Sequence, residues 1–331
     1  MEKLTYAIIG LGHIAEKAYL KAAEHSAGAK LVAVCDKDKS RLVLAEGLGV
    51  SAYSSYEDAI TKEKPDFIVA LTPHNEYNDI IKTAAGHGIN VFKEKPLGRN
   101  LKEAKRFVAL AEKKEIKLGV GLQRRFSELN RNFESMKNAI SGIFFVEGKY
   151  TMHVDNPGEG WRGQKSLAGG GCVIDMGYHT LDMLIWYFGM PEYVHAYTST
   201  AAMPKTNYDA EDTALVSLKY RNGAYGSVTI SRYYYPKTEY VRAVGNNFVG
   251  VLERENAELI NKDGRVVKRM DYKYDMTNLA AVQIDNFCKL IKGDKHAVDL
   301  IPDNLKVMSL IDAIYASSNK DRYVKVNYDG V

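Results

Sequence analysis

Five short, mostly apolar runs alternate with helical patterns through the first 120 or so residues, and that alternation leaves the chain few folds to choose from. The runs are Tyr6-Ala7-Ile8-Ile9, Leu31-Val32-Ala33-Val34, Phe67-Ile68-Val69-Ala70, Ile89-Asn90-Val91-Phe92 and Lys117-Leu118-Gly119-Val120. They are continuous where a half-exposed strand would alternate, so they read as strands covered on both faces. Helical patterns fill 13–24, 38–46, 76–87 and 101–114. Parallel strands need crossover connections, and helices supply them, so this order predicts an N-terminal doubly wound parallel sheet of the Rossmann type.

The pattern changes near Arg124. From Phe144 onward strand signals dominate, and Glu211 to Tyr220 and Ala224 to Arg232 flank Arg221-Asn222-Gly223, whose Asn-Gly is a strong hairpin signal. Further turns fall at Gly245-Asn246-Asn247 and at Asn261-Lys262-Asp263-Gly264, and two helices close the chain over about 279–292 and 303–318. At 331 residues the chain exceeds the usual size of one compact domain. We therefore expect an α/β protein with two domains. Residues 1–122 form the doubly wound domain, and 123–331 form an α+β domain with a mostly antiparallel sheet.

Composition excludes several classes. A formal charge of +4, with no Lys/Arg block, gives no footprint for nucleic acid. No apolar run approaches the roughly 20 residues of a membrane span, and the N-terminal run Leu4 to Ile9 is too short for a secretion signal. Cys35, Cys172 and Cys288 show neither disulfide nor zinc spacing, which fits a reducing, cytoplasmic setting. The 22 tyrosines suit half-wet sheet faces, interfaces or a polar cleft, and Tyr233-Tyr234-Tyr235 reads as such a face.

Gly10-Leu11-Gly12-His13-Ile14-Ala15 follows an apolar strand and opens a helix, the setting the dinucleotide fingerprint requires. Gly10 permits the tight turn, Gly12 lets backbone approach a pyrophosphate, and the helix start offers amides to phosphate. Asp36 ends the second strand, where its carboxylate accepts both hydroxyls of an adenosine ribose and repels a 2′-phosphate. NAD is thus favoured, while Lys37 and Arg41 keep NADP open as the alternative. Thr72-Pro73-His74-Asn75 leaves a strand at the carboxyl edge where ligands bind, or else simply starts a helix with Asn75 as cap. Glu94-Lys95-Pro96 leaves the next strand at the same edge, where a lysine can hold a hydroxyl or carbonyl oxygen.

The second half has one stretch of comparable weight. After Gly169-Gly170-Gly171 a helix pattern runs from Cys172 to Phe188, with Gly189 as its C-cap and Pro191 beyond. Asp175, His179 and Asp182 stand at i, i+4 and i+7 on this apolar helix. Ionisable groups there cost free energy unless they pair or do chemistry. An acid–base site and a buried ion pair are the two main readings; a metal site lacks a third ligand. Trp161-Arg162 precedes the glycines, and Arg162 can reach a phosphate or carboxylate.

Taken together, Gly10-x-Gly12-x-x-Ala15, Asp36, Thr72-Pro73, Glu94-Lys95-Pro96, Trp161-Arg162 and Gly169-Gly170-Gly171…Asp175-x-x-x-His179-x-x-Asp182 resemble the Gfo/Idh/MocA oxidoreductases over the whole chain. The resemblance implies that 1–122 is a Rossmann domain binding a nicotinamide cofactor, NAD or NADP, and that 123–331 carries an open, mostly antiparallel sheet that binds a sugar, cyclitol, nucleotide-sugar or related polyol substrate and builds a homodimer or homotetramer. By position, Lys95, Asp175 and His179 match the family's catalytic residues. Lys95 would bind the reacting oxygen, His179 would exchange its proton, and Asp175 would orient substrate or His179. Cofactor contacts are expected from Gly10, Gly12, His13, Ile14, Asp36, Thr72, Pro73, Asn75, Glu94, Lys95, Trp161 and Arg162. Substrate contacts are expected from Lys95, Arg124, Arg162, Asp175, His179 and Asp182. Tyr77 stands where the family often has a histidine. Two other outcomes stay open from sequence: an NAD-dependent glycoside hydrolase working by transient oxidation and elimination, and a non-catalytic dinucleotide-sensing protein.

Overall fold

The computed structural model describes residues 2–201 and 208–328. The chain forms two compact units. The first comprises Met1–Gly98, Lys102–Phe126 and Asp275–Ile301; the second comprises Arg99–Leu101, Ser127–Tyr274 and Pro302–Val331.

The first unit holds a six-stranded parallel sheet of β1 (Leu4–Ile9), β2 (Ala29–Cys35), β3 (Ser51–Tyr53), β4 (Phe67–Ala70), β5 (Asn90–Glu94) and β6 (Leu118–Gly121). Their spatial order is β3-β2-β1-β4-β5-β6, so the winding reverses between β1 and β4. The five expected strands are present. β3 is an addition: three residues at the sheet edge, too short and exposed to stand out from a turn. The segment after the glycine loop is a π-helical turn, Ala15–Tyr19, that continues as Leu20–Ala22. Segment 38–46 is a 3₁₀ helix, Lys39–Ala45, whose first turn is capped by Asp38 accepting from the Ser40 amide at 3.0 Å. Helices Tyr56–Glu63, Tyr77–Gly86 and Leu101–Lys113 supply further crossovers.

A boundary at residue 122 leaves two pieces of this unit out, the turn Gln123–Phe126 and a distant helix. Helix Met276–Ile291 belongs to the first unit, although it lies beyond the whole antiparallel sheet in the chain. Its Ala280, Ala281, Ile284, Phe287 and Cys288 are buried with residues of β1, β2, β4 and β5 in one core cluster. The Phe287 ring meets Phe67 edge-on at 5.4 Å and lies 5.5 Å from Phe92. Asp285 fastens the helix polar side, accepting from Ser26 Oγ at 2.6 Å and from the Gly28 amide at 2.9 Å. Nothing local in the sequence tells a helix which of two sheets it will cover. Phe287→Ala should lower stability by about 3–5 kcal/mol in denaturant titration, the cost of deleting a buried aromatic from a packed core.

The second unit holds a nine-stranded mixed sheet of β7 (Phe145–His153), β8 (Tyr193–Ser199), β9 (Thr213–Lys219), β10 (Tyr225–Ser231), β11 (Tyr233–Val244), β12 (Phe248–Glu253), β13 (Asn256–Asn261), β14 (Val266–Asp271) and β15 (Val324–Lys325). The order is β14-β13-β12-β11-β7-β10-β9-β8-β15, antiparallel throughout except for β7 beside β10. The Asn222-Gly223 turn sets Tyr225 opposite Lys219, with Gly223 at φ +88°. One face packs on helices. A Cβ at Gly148 would come 2.6 Å from the Thr180 methyl, and one at Gly177 would come 2.5 Å from Ile230 Cδ1, so helix and sheet meet at glycine distance. Along β9, Ala214, Val216 and Leu218 point to this core and Leu215 points away. The other face exposes Tyr197, Leu215 and Tyr225.

Candidate active site

In the first unit, the loop after β1 is built as the fingerprint requires. Gly10 sits at φ +96°, and a Cβ there would lie 2.9 Å from the Leu71 carbonyl group. A Cβ at Gly12 would meet nothing within 4 Å, so no neighbour among the described residues demands a glycine there. Asp36 ends β2 and turns back on the loop: its Oδ2 accepts from the Leu11 amide at 2.7 Å and its Oδ1 from the Asp38 amide at 2.9 Å. His13 is exposed and Ile14 half-buried at the helix start. Of the two cations that could welcome a 2′-phosphate, Lys37 pairs with Glu76 at 2.5 Å and Arg41 donates to the Leu11 carbonyl at 3.2 Å.

The polar side chains at this edge fit a dinucleotide. Thr72 Oγ1 and Asn75 Oδ1 lie beyond β4, and Gln123 Oε1 lies beyond β6, at the carboxyl ends of the two strands that flank β5. All three are buried with no hydrogen-bond partner among the described residues. Buried polar atoms are rarely left so, and a bound group that offers N–H or O–H donors to the two amide oxygens would use this capacity. Asn75 is not a helix cap. Pro73 precedes the 3₁₀ turn His74–Glu76, and Asn75 sits inside that turn. The capping reading is corrected, because the preceding proline holds extended backbone (ψ 148°) where the cap would be.

The Glu94-Lys95-Pro96 turn leaves the end of β5. Glu94 accepts from Tyr19 Oη at 2.6 Å and from the Lys95 amide at 3.3 Å, and burial pushes its carboxyl up. Gly121 makes room for it, since a Cβ there would lie 2.8 Å from Glu94 Oε1. Lys95 is half-buried. Sequence reasoning missed Lys93, which is fully buried two residues before it. Arg124 is half-buried in the 3₁₀ turn Gln123–Phe126 of the same unit.

In the second unit, the triple glycine is a packing device. A Cβ at Gly169 would lie 2.5 Å from the Arg99 carbonyl oxygen, at Gly170 1.9 Å from Tyr315 Oη, and at Gly171 1.9 Å from the Glu211 carbonyl oxygen. The expected helix is present as two segments, Cys172–Asp175 and Gly177–Phe188, with Met176 between them in helical conformation. Gly189 ends it at φ +78°. His179 and Asp182 are both buried.

Asp175 Oδ2 accepts from Arg232 Nη2 at 3.0 Å, and Arg162 Nε lies 3.8 Å away. Arg232 is the deeper partner, 3% exposed against 21% for Asp175, and its Nη1 also donates to the Arg162 carbonyl at 3.3 Å. The Arg162 guanidinium in turn stacks over Trp161 at 4.4 Å. Trp161 and Arg162 therefore stand with Asp175. Glu211, buried, binds the start of this helix through the Gly171 amide (2.8 Å) and the Val173 amide (3.0 Å), and takes the Tyr315 hydroxyl at 2.9 Å. Burial, then Glu211, push the Tyr315 phenol well above its ordinary range. Arg232 and Glu211 lie tens of residues from the helix they hold, and no local spacing announces them. The predicted site residues thus fall into two groups. Gly10, Gly12, Asp36, Thr72, Asn75, Glu94, Lys95 and Arg124 belong to the first unit, and Trp161, Arg162, Asp175, His179 and Asp182 to the second.

Comparison with known proteins identifies the class. Residues 4–122 match the model of an oxidoreductase family with an NAD-binding Rossmann fold, and 137–248 match the Gfo/Idh/MocA C-terminal domain. The chain belongs to the Gfo/Idh/MocA family of oxidoreductases, and its first unit is the NAD-binding domain. It is similar to D-xylose 1-dehydrogenase (NADP(+)) 2 of Haloferax volcanii, at 26% identity over 98% of this chain and 100% of that one. It is also similar to myo-inositol 2-dehydrogenase of Thermotoga maritima, at 28% identity over 68% of this chain and 67% of that one. Among solved structures, aldose-aldose oxidoreductase from Caulobacter crescentus, complexed with glycerol, shares the fold with a TM-score of 0.87 at 23% identity, over 98% of this chain and 100% of that one. No helix among the described residues is long and apolar enough to cross a membrane.

Proposed function

We propose that the protein is an NAD-dependent dehydrogenase that interconverts a hydroxyl and a carbonyl on a sugar, cyclitol, nucleotide-sugar or related polyol. The carrying observation is the Arg232–Asp175 pair beside His179. A buried guanidinium bonded to a partly exposed carboxylate keeps that carboxylate charged and aimed. Such an acceptor suits a substrate of hydroxyl groups, or the support of an imidazolium. The dehydrogenase names of the Haloferax and Thermotoga relatives support the same class.

When bound, the nicotinamide supplies the hydride acceptor or donor. The residues supply position and proton transfer. Lys95 donates from Nζ to the reacting oxygen and stabilises negative charge as it develops. His179 takes the hydroxyl proton on its imidazole, whose ordinary range brackets working pH. Asp175 orients substrate or His179. Gly10, Gly12, His13, Ile14 and Asp36 hold the adenosine and pyrophosphate side, and Thr72, Pro73, Asn75 and Glu94 hold the rest of the cofactor. Arg124, Arg162 and Asp182 contribute to substrate choice, and Trp161 with Arg162 walls the pocket.

Asp36 selects NAD, since both nearby cations are engaged elsewhere. Asp36→Ala should weaken NAD binding about tenfold or more, the loss of two charge-assisted hydrogen bonds, and narrow the gap to NADP. Titration of both nucleotides by protein fluorescence checks this. The exposed Tyr197, Leu215 and Tyr225 make the open sheet face the surface on which the protein forms a homodimer or homotetramer. Light scattering on Tyr225→Glu should report a smaller species than the native chain. Substrate class is tested by screening aldoses, inositols and nucleotide-sugars for NADH formation, with Lys95→Ala and His179→Ala alongside.

A further inference from the structure

The turn that carries Lys95 is closed by a second lysine. Lys93 lies on β5, has no exposed surface, and sends its Nζ back along its own chain. There it donates to the Glu94 carbonyl at 2.8 Å and to the Pro96 carbonyl. These two carbonyls bracket Lys95, so the ammonium ties the backbone on one side of Lys95 to the backbone on the other. The remaining side of the ammonium faces the Tyr77 ring, 3.8 Å from its centroid. Tyr77 opens helix Tyr77–Gly86, directly after the Thr72–Asn75 loop, and stacks on His74. Two carbonyls and a π-face give each of the three N–H groups of an ammonium a direction to point in.

We propose that Lys93 is a positioning residue for Lys95: its ammonium clasps the Lys95 turn, and the face of Tyr77 keeps that charge tolerable in a fully buried position. The proposal rests on the role given to Lys95 above. It also gives a reason for the tyrosine at position 77, where the family often has a histidine. Tyrosine offers a neutral, electron-rich face at any pH below its own titration, whereas a protonated imidazole would repel the ammonium.

The charges around Lys93 oppose one another. Burial pushes its amine down to about 7, with Lys95 acting in the same direction, while Glu94 from its own strand and Glu103 from helix Leu101–Lys113 act against it. Loss of the proton removes one N–H and the attraction to the ring, so the clasp weakens as pH rises through neutrality. The linkage runs the other way for global stability. Between pH 7 and the ordinary lysine range the unfolded chain binds more protons than the folded one, so this group makes stability rise with pH. Local loosening on the alkaline side is therefore distinct from unfolding.

The test is amide hydrogen exchange of the full-length protein, read by mass spectrometry on peptides spanning 94–98 and corrected for the intrinsic pH dependence. Native protein should lose protection of the Lys95 and Leu97 amides about tenfold between pH 6 and 8.5. Lys93→Met should show the low protection at both pH values. Tyr77→Phe should behave as native, and Tyr77→Leu should lose protection at lower pH than native. In the substrate screen, Lys93→Met should lower kcat 10- to 100-fold, the scale of a misplaced catalytic group, with KM for NAD changed less than threefold. Unchanged, pH-independent protection in Lys93→Met overturns the proposal. If that variant does not fold, equal behaviour of Tyr77→Leu and Tyr77→Phe overturns it. The exchange readout needs no turnover, so an inactive native protein or a fully active Lys95→Ala would sink the role of Lys95 and leave the clasp standing.

Discussion

Lys95→Ala and His179→Ala should each lower kcat by roughly 100- to 10,000-fold, the range that a positioned acid–base group contributes. NAD affinity should change by less than about threefold in either variant, because the adenosine and pyrophosphate contacts expected from Gly12 and Asp36 are untouched. The two losses should differ in kind. In the proposed mechanism Lys95 stabilises charge on the reacting oxygen, so the effect of its removal should depend little on pH. His179 is proposed to move a proton, so its removal should abolish the acid limb of the kcat profile in the oxidation direction. Steady-state kinetics across pH on both variants measures this. A variant that keeps near-native kcat removes that residue from the mechanism.

Asp175→Ala should be the most destabilising change among the site residues, and should cost more than Arg232→Met. The reason is the asymmetry of burial. Removing Asp175 strands a guanidinium that is 3% exposed and keeps a hydrogen bond to the Arg162 carbonyl. Breaking a buried pair from one side costs about 3–5 kcal/mol when the remaining charge is deeply buried. Removing Arg232 leaves a carboxylate that is 21% exposed and still has Arg162 within 3.8 Å, so water and that guanidinium offset part of the loss. Arg232→Met should nonetheless lower kcat by about tenfold or more, because Asp175 loses its 3.0 Å hydrogen bond from the buried guanidinium and with it part of its alignment. Urea unfolding of both variants, with kcat for the folded fraction, separates the two effects. Equal destabilisation would contradict the assigned burial asymmetry.

The fold was largely legible because its signals are local. Continuous apolar runs announced β1, β2, β4, β5 and β6, and the Asn222-Gly223 turn announced the β9–β10 hairpin in its observed register. What stayed hidden was set by long-range packing. β3 is too short to carry a pattern, and the return of helix Met276–Ile291 to the first sheet depends on Phe287 finding Phe67 and Phe92. The site divides in the same way. Gly10, Asp36, Lys95, Asp175 and His179 stand in motifs whose spacing carries meaning. Lys93, Glu211 and Arg232 act through contacts that spacing does not encode. Lys93 sits inside an apolar strand, where a cation reads as a strand exit rather than a buried clasp. The triple glycine was visible, but its cause was not: Arg99, Tyr315 and Glu211 each occupy the space a side chain would need.

The central claim is net oxidation or reduction of a polyol carbon by this chain with its nicotinamide cofactor. Its most direct test is stoichiometry: NADH formed per molecule of substrate consumed by the purified protein, with the product identified by mass spectrometry. The account predicts one NADH per carbonyl product, abolished in Lys95→Ala. Consumption of a glycoside to free sugar with no net NADH, or tight NAD binding with no turnover across the sugar and polyol panel, would contradict it.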